Sequence, residues 1–432
     1  MNEKLGHKKY GIGKNIILGF QHLFAMFGAT VLVPLLTGIN PAVAIFCAGV
    51  GTLVFHLVTK GKVPVFLGSS FAFIGVIIIT ASQFSGVDPS VEGALSSQAY
   101  QDALPYVTGG IIVAGAVYLL LALIVRLVGV KRVMSIFPPI VVGPMIMVIG
   151  LTLAPTAFTN IISAPGGEIA DVLWMRWVIA LVVIATMVVI SIFAKGFFKL
   201  VPIIMAIAVG YIVAALMGQV DFTGFQDGTN LGFQVPAFFL PKFDGRAIAI
   251  IAPVAIVTFM EHIGDITTNG AVVGKNFVED PGLHRTLMGD GVATMLAGFL
   301  GGPANTTYGE NTGVLAVTKN YNPTTLRIAA VFAVIISFFG VFSVFLGSIP
   351  GAVMGGVSIL LFGMIATVGL RTLSEANLDF SHSRNLIIVS IMLVIGLGLS
   401  GGIEFSETFT LSNIFLSAIA GIVLNLVLPK EI

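Results

Sequence analysis

The feature that most restricts what this chain can fold into is a near-unbroken succession of apolar runs, separated by short polar or Pro/Gly punctuation. A helix that crosses a bilayer needs about 20 mostly apolar residues. Fourteen candidates lie near 15–37, 41–59, 64–83, 105–129, 132–154, 172–194, 198–217, 247–272, 286–302, 304–318, 326–347, 350–369, 384–400 and 410–429. Of 432 residues, 56% are hydrophobic and 9% charged, against about 25% charged in a soluble domain. A water-soluble domain of this length has no way to hide so much apolar surface, whereas a bilayer removes the need to. The net charge of +1 gives no footing for nucleic acid. The single cysteine, Cys47, excludes a disulfide within the chain. The basic start MNEKLGHKKYGIGK runs into an apolar segment without a small-residue cleavage site, which reads as a first membrane helix and not a signal peptide.

Lysine and arginine accumulate on the cytoplasmic side of membrane proteins. With the N-terminus inside and fourteen crossings, 18 of the 21 Lys and Arg residues fall in cytoplasmic positions; only Arg176, Lys242 and Arg246 fall outside. A miscounted span would reverse the bias partway along the chain, and it does not reverse. The expectation is therefore a multi-pass protein of a bacterial cytoplasmic (inner) membrane with both termini cytoplasmic.

Fourteen divides into seven and seven, and an odd number per half makes the second half enter the membrane inverted, as in many secondary transporters. Gln21-His22 matches Glu261-His262, and Ser69-Ser70 matches Gly309-Glu310, both at a shift of 240; Pro138 and Gly143 match Pro350 and Gly355 at a shift of 212. The expected fold is an all-α polytopic membrane protein of 14 transmembrane segments in a 7+7 inverted repeat, with short extended pieces in segments 3 and 10. Those two begin with non-helical sequence, VPVFLGSS and GPANTTYGE. Non-helical backbone at membrane depth is tolerated only where it is buried in protein or lines a cavity. Two such pieces can pair with each other, leaving helix N-termini near Phe71 and Glu310 with free N–H groups aimed at a central pocket.

Charged residues inside spans are functional hypotheses by default. Glu261 and Asp265 lie four apart on one helix face, and in a low-dielectric setting two carboxylates that close do not both stay ionised cheaply. One of them is therefore expected to hold and release a proton. Glu310 sits at the mouth of span 10, and Asp290 reads as a capping or interfacial residue near the cytoplasm. His22 and His262 are candidates to hold a neighbouring polar group or relay a proton, while His56 lacks polar company and reads as structural. Phe71 and Tyr308 offer flat faces for a planar heterocycle, with ordinary packing as the competing reading.

The run Glu310-Asn311-Thr312-Gly313-Val314-Leu315-Ala316-Val317-Thr318-Lys319 resembles the signature of the nucleobase–ascorbate transporter (nucleobase:cation symporter) family. Gln21-His22, Gly68-Ser69-Ser70-Phe71-Ala72-Phe73, Glu261-His262-x-Gly264-Asp265, Asp280-Pro281-Gly282-Leu283-His284-Arg285 and Asn305-Thr306-Thr307-Tyr308-Gly309-Glu310 extend the likeness over essentially the whole chain, which is most similar to the bacterial uracil permeases. The resemblance implies a core domain of segments 1–4 and 8–11 (1–130 and 219–348) and a gate domain of segments 5–7 and 12–14 (131–218 and 349–432). It implies proton-coupled uptake of uracil by alternating access, often as a homodimer. Substrate-binding positions are Glu261, Glu310, Phe71, Gly309 and Tyr308, proton-coupling positions are Glu261, Asp265 and His262, and supporting positions are Gln21, His22, Ser70 and Asn311. No cofactor or metal is implied; the partners are uracil, the proton and membrane lipid.

The chain departs from that pattern at Asp265, where many uracil permeases carry His and purine-transporting relatives frequently carry Asp. A xanthine or urate symporter of the same family is the alternative. Glu310 argues for the pyrimidine, because a carboxylate accepts from the two N–H groups of uracil and donates only when protonated. An anion exchanger would share the inverted repeat, but two facing glutamates oppose it. No nucleophile–base pair, metal-ligand cluster or phosphate-binding loop points to an enzyme.

Overall fold

The structure is a computed structural model in which residues 11–89, 93–162, 169–196, 198–226, 231–399, 402–406 and 409–429 are described. Lys4, Lys8, Lys9 and Lys430, used in the charge argument, lie outside the described residues. The helices run α1 (Ile12–Thr37), α2 (Pro41–Val58), α3 (Ile74–Ser85), α4 (Gln98–Val128), α5 (Val130–Ile136), α6 (Pro139–Thr152), α7 (Ala154–Ile162), α8 (Ile169–Phe193), α9 (Pro202–Leu216) and α10 (Thr223–Gln226). They continue with α11 (Gly245–Ile251), α12 (Val254–Val273), α13 (Leu283–Phe299), α14 (Gly309–Thr318), α15 (Pro323–Ile336), α16 (Gly340–Gly347), α17 (Gly351–Glu375), α18 (Ser383–Gly398) and α19 (Asn413–Val427). Two antiparallel strand pairs accompany the α-helices: β1 (Leu67–Ser69) with β2 (Asn305–Thr307), and β3 (Ile403–Ser406) with β4 (Phe409–Leu411).

Helix ends follow local chemistry. Gly38, at φ +74°, closes α1 in the left-handed region that glycine adopts freely. Asn40 then opens α2, its Oδ1 accepting the Ala42 and Val43 N–H groups at 2.9 and 3.2 Å, with Pro41 at the first helical position. Asn322 and Pro323 repeat the device at α15, where Asn322 Oδ1 accepts from Thr324 N–H at 3.0 Å.

Helix lies over each of the fourteen expected apolar stretches, but several are not single rods. The stretch near 132–154 breaks at Phe137-Pro138, and the one near 247–272 breaks at Ala252-Pro253. Phe137, before Pro138, leaves the helical region (φ −114°, ψ 61°) as proline's ring demands. Ala252 and Pro253 keep helical dihedrals, and the break there is in the hydrogen-bond ladder, because proline has no N–H to give. The stretch near 326–347 breaks at Ser337–Phe339 without a proline. There Phe339 and Phe338 are drawn to the 231–234 segment: the Gln234 N–H donates to the Phe338 carbonyl at 2.8 Å, and the Phe233 and Phe338 rings lie parallel within 6°. The β3–β4 hairpin occupies residues that the sequence reading assigned partly to the last apolar run.

Among the described residues, seven helical stretches are long and apolar enough to cross a membrane, and five shorter apolar helices accompany them. The outward faces agree with a lipid surrounding: Leu216 is 83% exposed, Leu57 79% and Leu127 75%, an apolar exterior that water would penalise. The protein is multi-pass. Inside, α13 packs against α4 and α2, and α15 against α1 and α2, while α17 packs against α6, α7 and α8. The β1–β2 pair sits between α2 and α13, in the middle of the first of these groups.

Candidate functional site

The two extended pieces expected in segments 3 and 10 meet. Leu67 faces Thr307, Gly68 faces Thr306 and Ser69 faces Asn305 in antiparallel register. Two further bonds lengthen the ladder, from Ser70 N–H to the Ala304 carbonyl (2.8 Å) and from Tyr308 N–H to the Phe66 carbonyl (3.0 Å). The outer edges are covered as well. Thr52 Oγ1 accepts the Leu67 N–H at 2.9 Å, and Thr294 Oγ1 both accepts from Asn305 N–H and donates to its carbonyl, at 3.2 and 2.9 Å. Asn305 Nδ2 reaches the Cys47 carbonyl at 3.0 Å. The buried backbone polar groups of the strand pair thus find partners from α2 and α13 in place of water.

Crossing strands need close approach, and Gly68 supplies it. A Cβ there would run into the Tyr308 ring and come within 2.8 Å of Thr30 Oγ1. Tyr308 lies across this glycine and donates its hydroxyl to the Ser69 carbonyl at 2.9 Å. Ser69 Oγ donates to the Thr30 carbonyl at 3.2 Å, tying β1 to α1.

Each strand delivers the chain into a helical N-terminus. A single turn of 3-10 helix, Phe71–Phe73, leads into α3, and α14 begins at Gly309. Neither Ser70 nor Tyr308, the residues in the capping positions, provides a side-chain cap. The first N–H groups of a helix have no partner within it. The structure therefore directs two uncapped N-termini, with their positive dipole ends, to the strand crossing. The Phe71 and Tyr308 rings lie there with planes 13° apart and centroids 6.5 Å apart, and Phe362 of α17 meets Phe71 edge-on.

The acids converge on the same place. Glu261 and Asp265 project from one face of α12, and Glu310 stands in the first turn of α14. All three are only half-buried in the interior of the helix assembly, and Gly309 and Gly313 beside them are exposed, with nothing within 4 Å of an added Cβ. Glu261 feels the charges of Glu310 and Asp290, and Asp265 those of Glu261, Glu310 and Asp290. Asp265 Oδ2 accepts from the Thr307 hydroxyl at 3.1 Å, so β2 holds it. Glu261 Oε2 has no partner among the described residues; neither do Gln21 Oε1, Ser70 Oγ and Asn311 Oδ1. An unpartnered buried polar atom costs about 1–3 kcal/mol. Of several such atoms among the described residues, Ser70 Oγ stands at the strand crossing and Glu261 Oε2 on the helix face beside it, where a ligand would supply the missing partners.

The supporting positions divide. Asn311 Nδ2 donates to the His22 carbonyl at 3.0 Å and lies 3.2 Å from His22 Nδ1, joining α14 to α1. His56 serves the frame, its Nε2 being 2.9 Å from the Val65 carbonyl that leads into β1. His262 turns away from Glu261, one residue and about 100° around the helix axis from it, and reaches α13. Its Nδ1 lies 2.8 Å from Asp290 Oδ2 and its Nε2 2.9 Å from Thr286 Oγ1, both on α13. Asp290 is correspondingly 1% exposed. It is a buried partner of His262 rather than the capping or interfacial residue expected of it, since α13 begins seven residues earlier, at Leu283. Asp290→Ala is expected to lower thermal stability by about 1–3 kcal/mol through the stranded imidazole, with Asp290→Asn losing less; thermal unfolding in detergent reads both.

Sequence reasoning passed over Asn269, and named Thr307 within its motif without its bond to Asp265. Asn269 Nδ2 bridges the Pro64 carbonyl and Thr312 Oγ1, each at 3.1 Å, clamping the approach to β1 against α14. Its signal was present, because Glu261, Asp265 and Asn269 repeat every four residues along one face of α12. No group of three or more His, Cys, Asp or Glu among the described residues has a metal-holding arrangement.

The same arrangement has known relatives. A family named Xan_ur_permease and described as "Permease family" matches residues 13–405. The uracil permease of Bacillus caldolyticus is 43% identical across 97% of this chain and 93% of its own length. That of Bacillus subtilis (strain 168) is 44% identical, over 96% and 92%. Among solved structures, the transmembrane domain of a cyanobacterium bicarbonate transporter, BicA, superposes with a TM-score of 0.65 over 95% of this chain and 96% of that one, at 13% identity, a likeness of fold alone. With its family pattern matched over nearly all its length, the chain belongs to this permease family.

Proposed function

We propose that the chain is a proton symporter that takes up uracil across the bacterial cytoplasmic membrane by alternating access. The unpartnered Glu261 Oε2, set beside Glu310 and two uncapped helix N-termini, is the observation that carries this reading. Uracil presents two N–H donors and two carbonyl acceptors. Glu261 and Glu310 accept from its N–H groups, the Phe71 and Gly309 amides donate to its carbonyls, and the Phe71 and Tyr308 rings border its plane. The names of the two bacilli relatives support the substrate. Glu261, with Asp265 four residues on, carries the coupled proton, and His262 acts from behind, through Asp290 on α13.

In this reading the fourteen apolar stretches all cross, as two inverted sets of seven, with both termini cytoplasmic. Residues 1–130 and 219–348 make the core, and 131–218 and 349–432 the gate. The packing of α17 on α6, α7 and α8 supports that division, and the two groups meet in contact: an added Cβ at Gly264 of α12 would lie 3.4 Å from Ile146 of α6. Movement of the core against the gate at this seam exposes the crossing to one side and then the other, and a homodimer holds the gate still.

The purine alternative rests on Asp265. Uptake of radiolabelled uracil in cells expressing the chain separates the two readings. A large excess of unlabelled uracil is expected to block uptake, and xanthine or urate to leave it intact. Equal block by xanthine would replace the pyrimidine assignment.

A further inference from the structure

Away from the crossing, at the Lys/Arg-rich end of the helices, α4 and α13 leave a groove of about 440 Å³. Arg126, Arg285 and His284 line its end, and Leu119, Leu123 and Met288 are among its apolar walls. No acid lines it. Neither arginine makes a salt bridge or side-chain hydrogen bond among the described residues. By contrast Lys62, on the same side of the chain, is neutralised by Asp280. Leu123 is 49% exposed and Met288 38%, so the apolar wall continues onto the lipid-facing surface.

Two guanidinium groups brought to one groove without an acid among its lining residues repel one another. Burial, and then these two charges, hold the His284 imidazole below its usual range, so that it offers neutral hydrogen-bonding nitrogens. An apolar wall beside them is equally unsuited to water. A single occupant answers both: a phosphodiester anion attached to hydrocarbon. Guanidinium groups match phosphate with paired donors, and the acyl chains lie against Leu119, Leu123 and Met288. A soluble anion would satisfy the arginines and leave the wall wet; a zwitterionic lipid would bring its own cation into a basic groove. We propose that this groove is a binding site for an anionic phospholipid, held between α4 and α13 in the leaflet on the Lys/Arg-rich side. It bridges helices from the two halves of the chain, one of which carries the Asp290 and Thr286 partners of His262.

The test uses purified, delipidated full-length protein titrated with phosphatidylglycerol, phosphatidylcholine or inorganic phosphate. Native mass spectrometry follows retained lipid and thermal unfolding follows stability. Phosphatidylglycerol is expected to be retained and to raise the unfolding temperature, and phosphatidylcholine and inorganic phosphate to do neither. Arg126→Gln with Arg285→Gln should weaken retention about thirtyfold, from about fivefold per arginine near a lipid surface. Arg126→Gln alone, at an exposed side chain that makes no contact needed for folding, should give the single step. Arg132→Gln on α5 removes an exposed charge outside the groove and should change nothing. Equal retention of both lipids, unchanged retention in the double variant, equal loss in Arg132→Gln, or stabilisation by inorganic phosphate alone would each overturn the proposal.

Discussion

Glu261→Gln is expected to abolish accumulation of uracil against a gradient while leaving the protein folded. Glutamine keeps the shape and one acceptor oxygen but replaces the unpartnered Oε2 position with either a donor or a group unable to take a proton. A donor facing a substrate N–H forfeits that hydrogen bond and leaves the groups unpaired, at about 1–3 kcal/mol, so affinity should fall about 5- to 150-fold. Replacing a half-buried acid that has no ion-pair partner by a neutral side chain of the same shape relieves repulsion from Glu310 and Asp290, so thermal stability should hold or rise. Uptake of radiolabelled uracil into proteoliposomes under an imposed pH gradient, alongside thermal unfolding, gives both quantities. Continued uphill accumulation by this variant would refute the role given to Glu261. Asp265→Asn is the informative contrast. Its oxygen still accepts from the Thr307 hydroxyl, so the strand stays anchored and binding should fall less.

Gly68→Val should damage binding by a different route, with no charge touched. The added Cβ meets the Tyr308 ring and Thr30 Oγ1. Tyr308 then moves off the Ser69 carbonyl, and the β1–β2 crossing, which sets both helix N-termini, opens with it. Overpacking of this kind costs about 1–3 kcal/mol, and the loss of two aimed N-termini should remove measurable uracil binding. Gly68→Ala should lie between. Gly75→Ala in α3 is the control, because nothing lies within 4 Å of an added Cβ there and alanine favours the helix by about 0.5–1 kcal/mol. Calorimetric titration with uracil and thermal unfolding distinguish them; a Gly68→Val protein that binds as the unaltered chain does would show that the crossing does not set the site.

The crossing itself was legible because Pro64, Gly68, Ser69 and Ser70 interrupt one apolar run, and Pro303 through Thr307 another. Its register was not. The internal match pairs Ser69 with Gly309, whereas in space Ser69 faces Asn305. Repeat correspondence relates equivalent positions across a pseudo-symmetry axis, while strand pairing relates neighbours across it. The Glu261–Asp265 pair was legible from helical period alone, and Asn269 stood on the same stripe. The bond between His262 and Asp290 joins two helices and depends on how α12 and α13 rotate against each other, which no local pattern reveals. Pro138 and Pro253 announced the breaks they cause, but hydropathy averaged over about 20 residues smooths such breaks away. The β3–β4 hairpin carried a period-two signal, Ile403 and Phe405 alternating with Glu404 and Ser406, that the adjoining apolar run concealed.

The claim that an acid at the strand crossing binds uracil and takes up a proton meets its most direct test in calorimetry. Uracil is titrated into the purified protein in two buffers of different ionisation enthalpy at the same pH. The difference in apparent enthalpy gives the protons taken up per uracil bound. The account predicts net proton uptake for the unaltered chain and none for Glu261→Gln at uracil concentrations that still occupy it. Buffer-independent enthalpy in the unaltered chain, or the same proton uptake in Glu261→Gln, would contradict it.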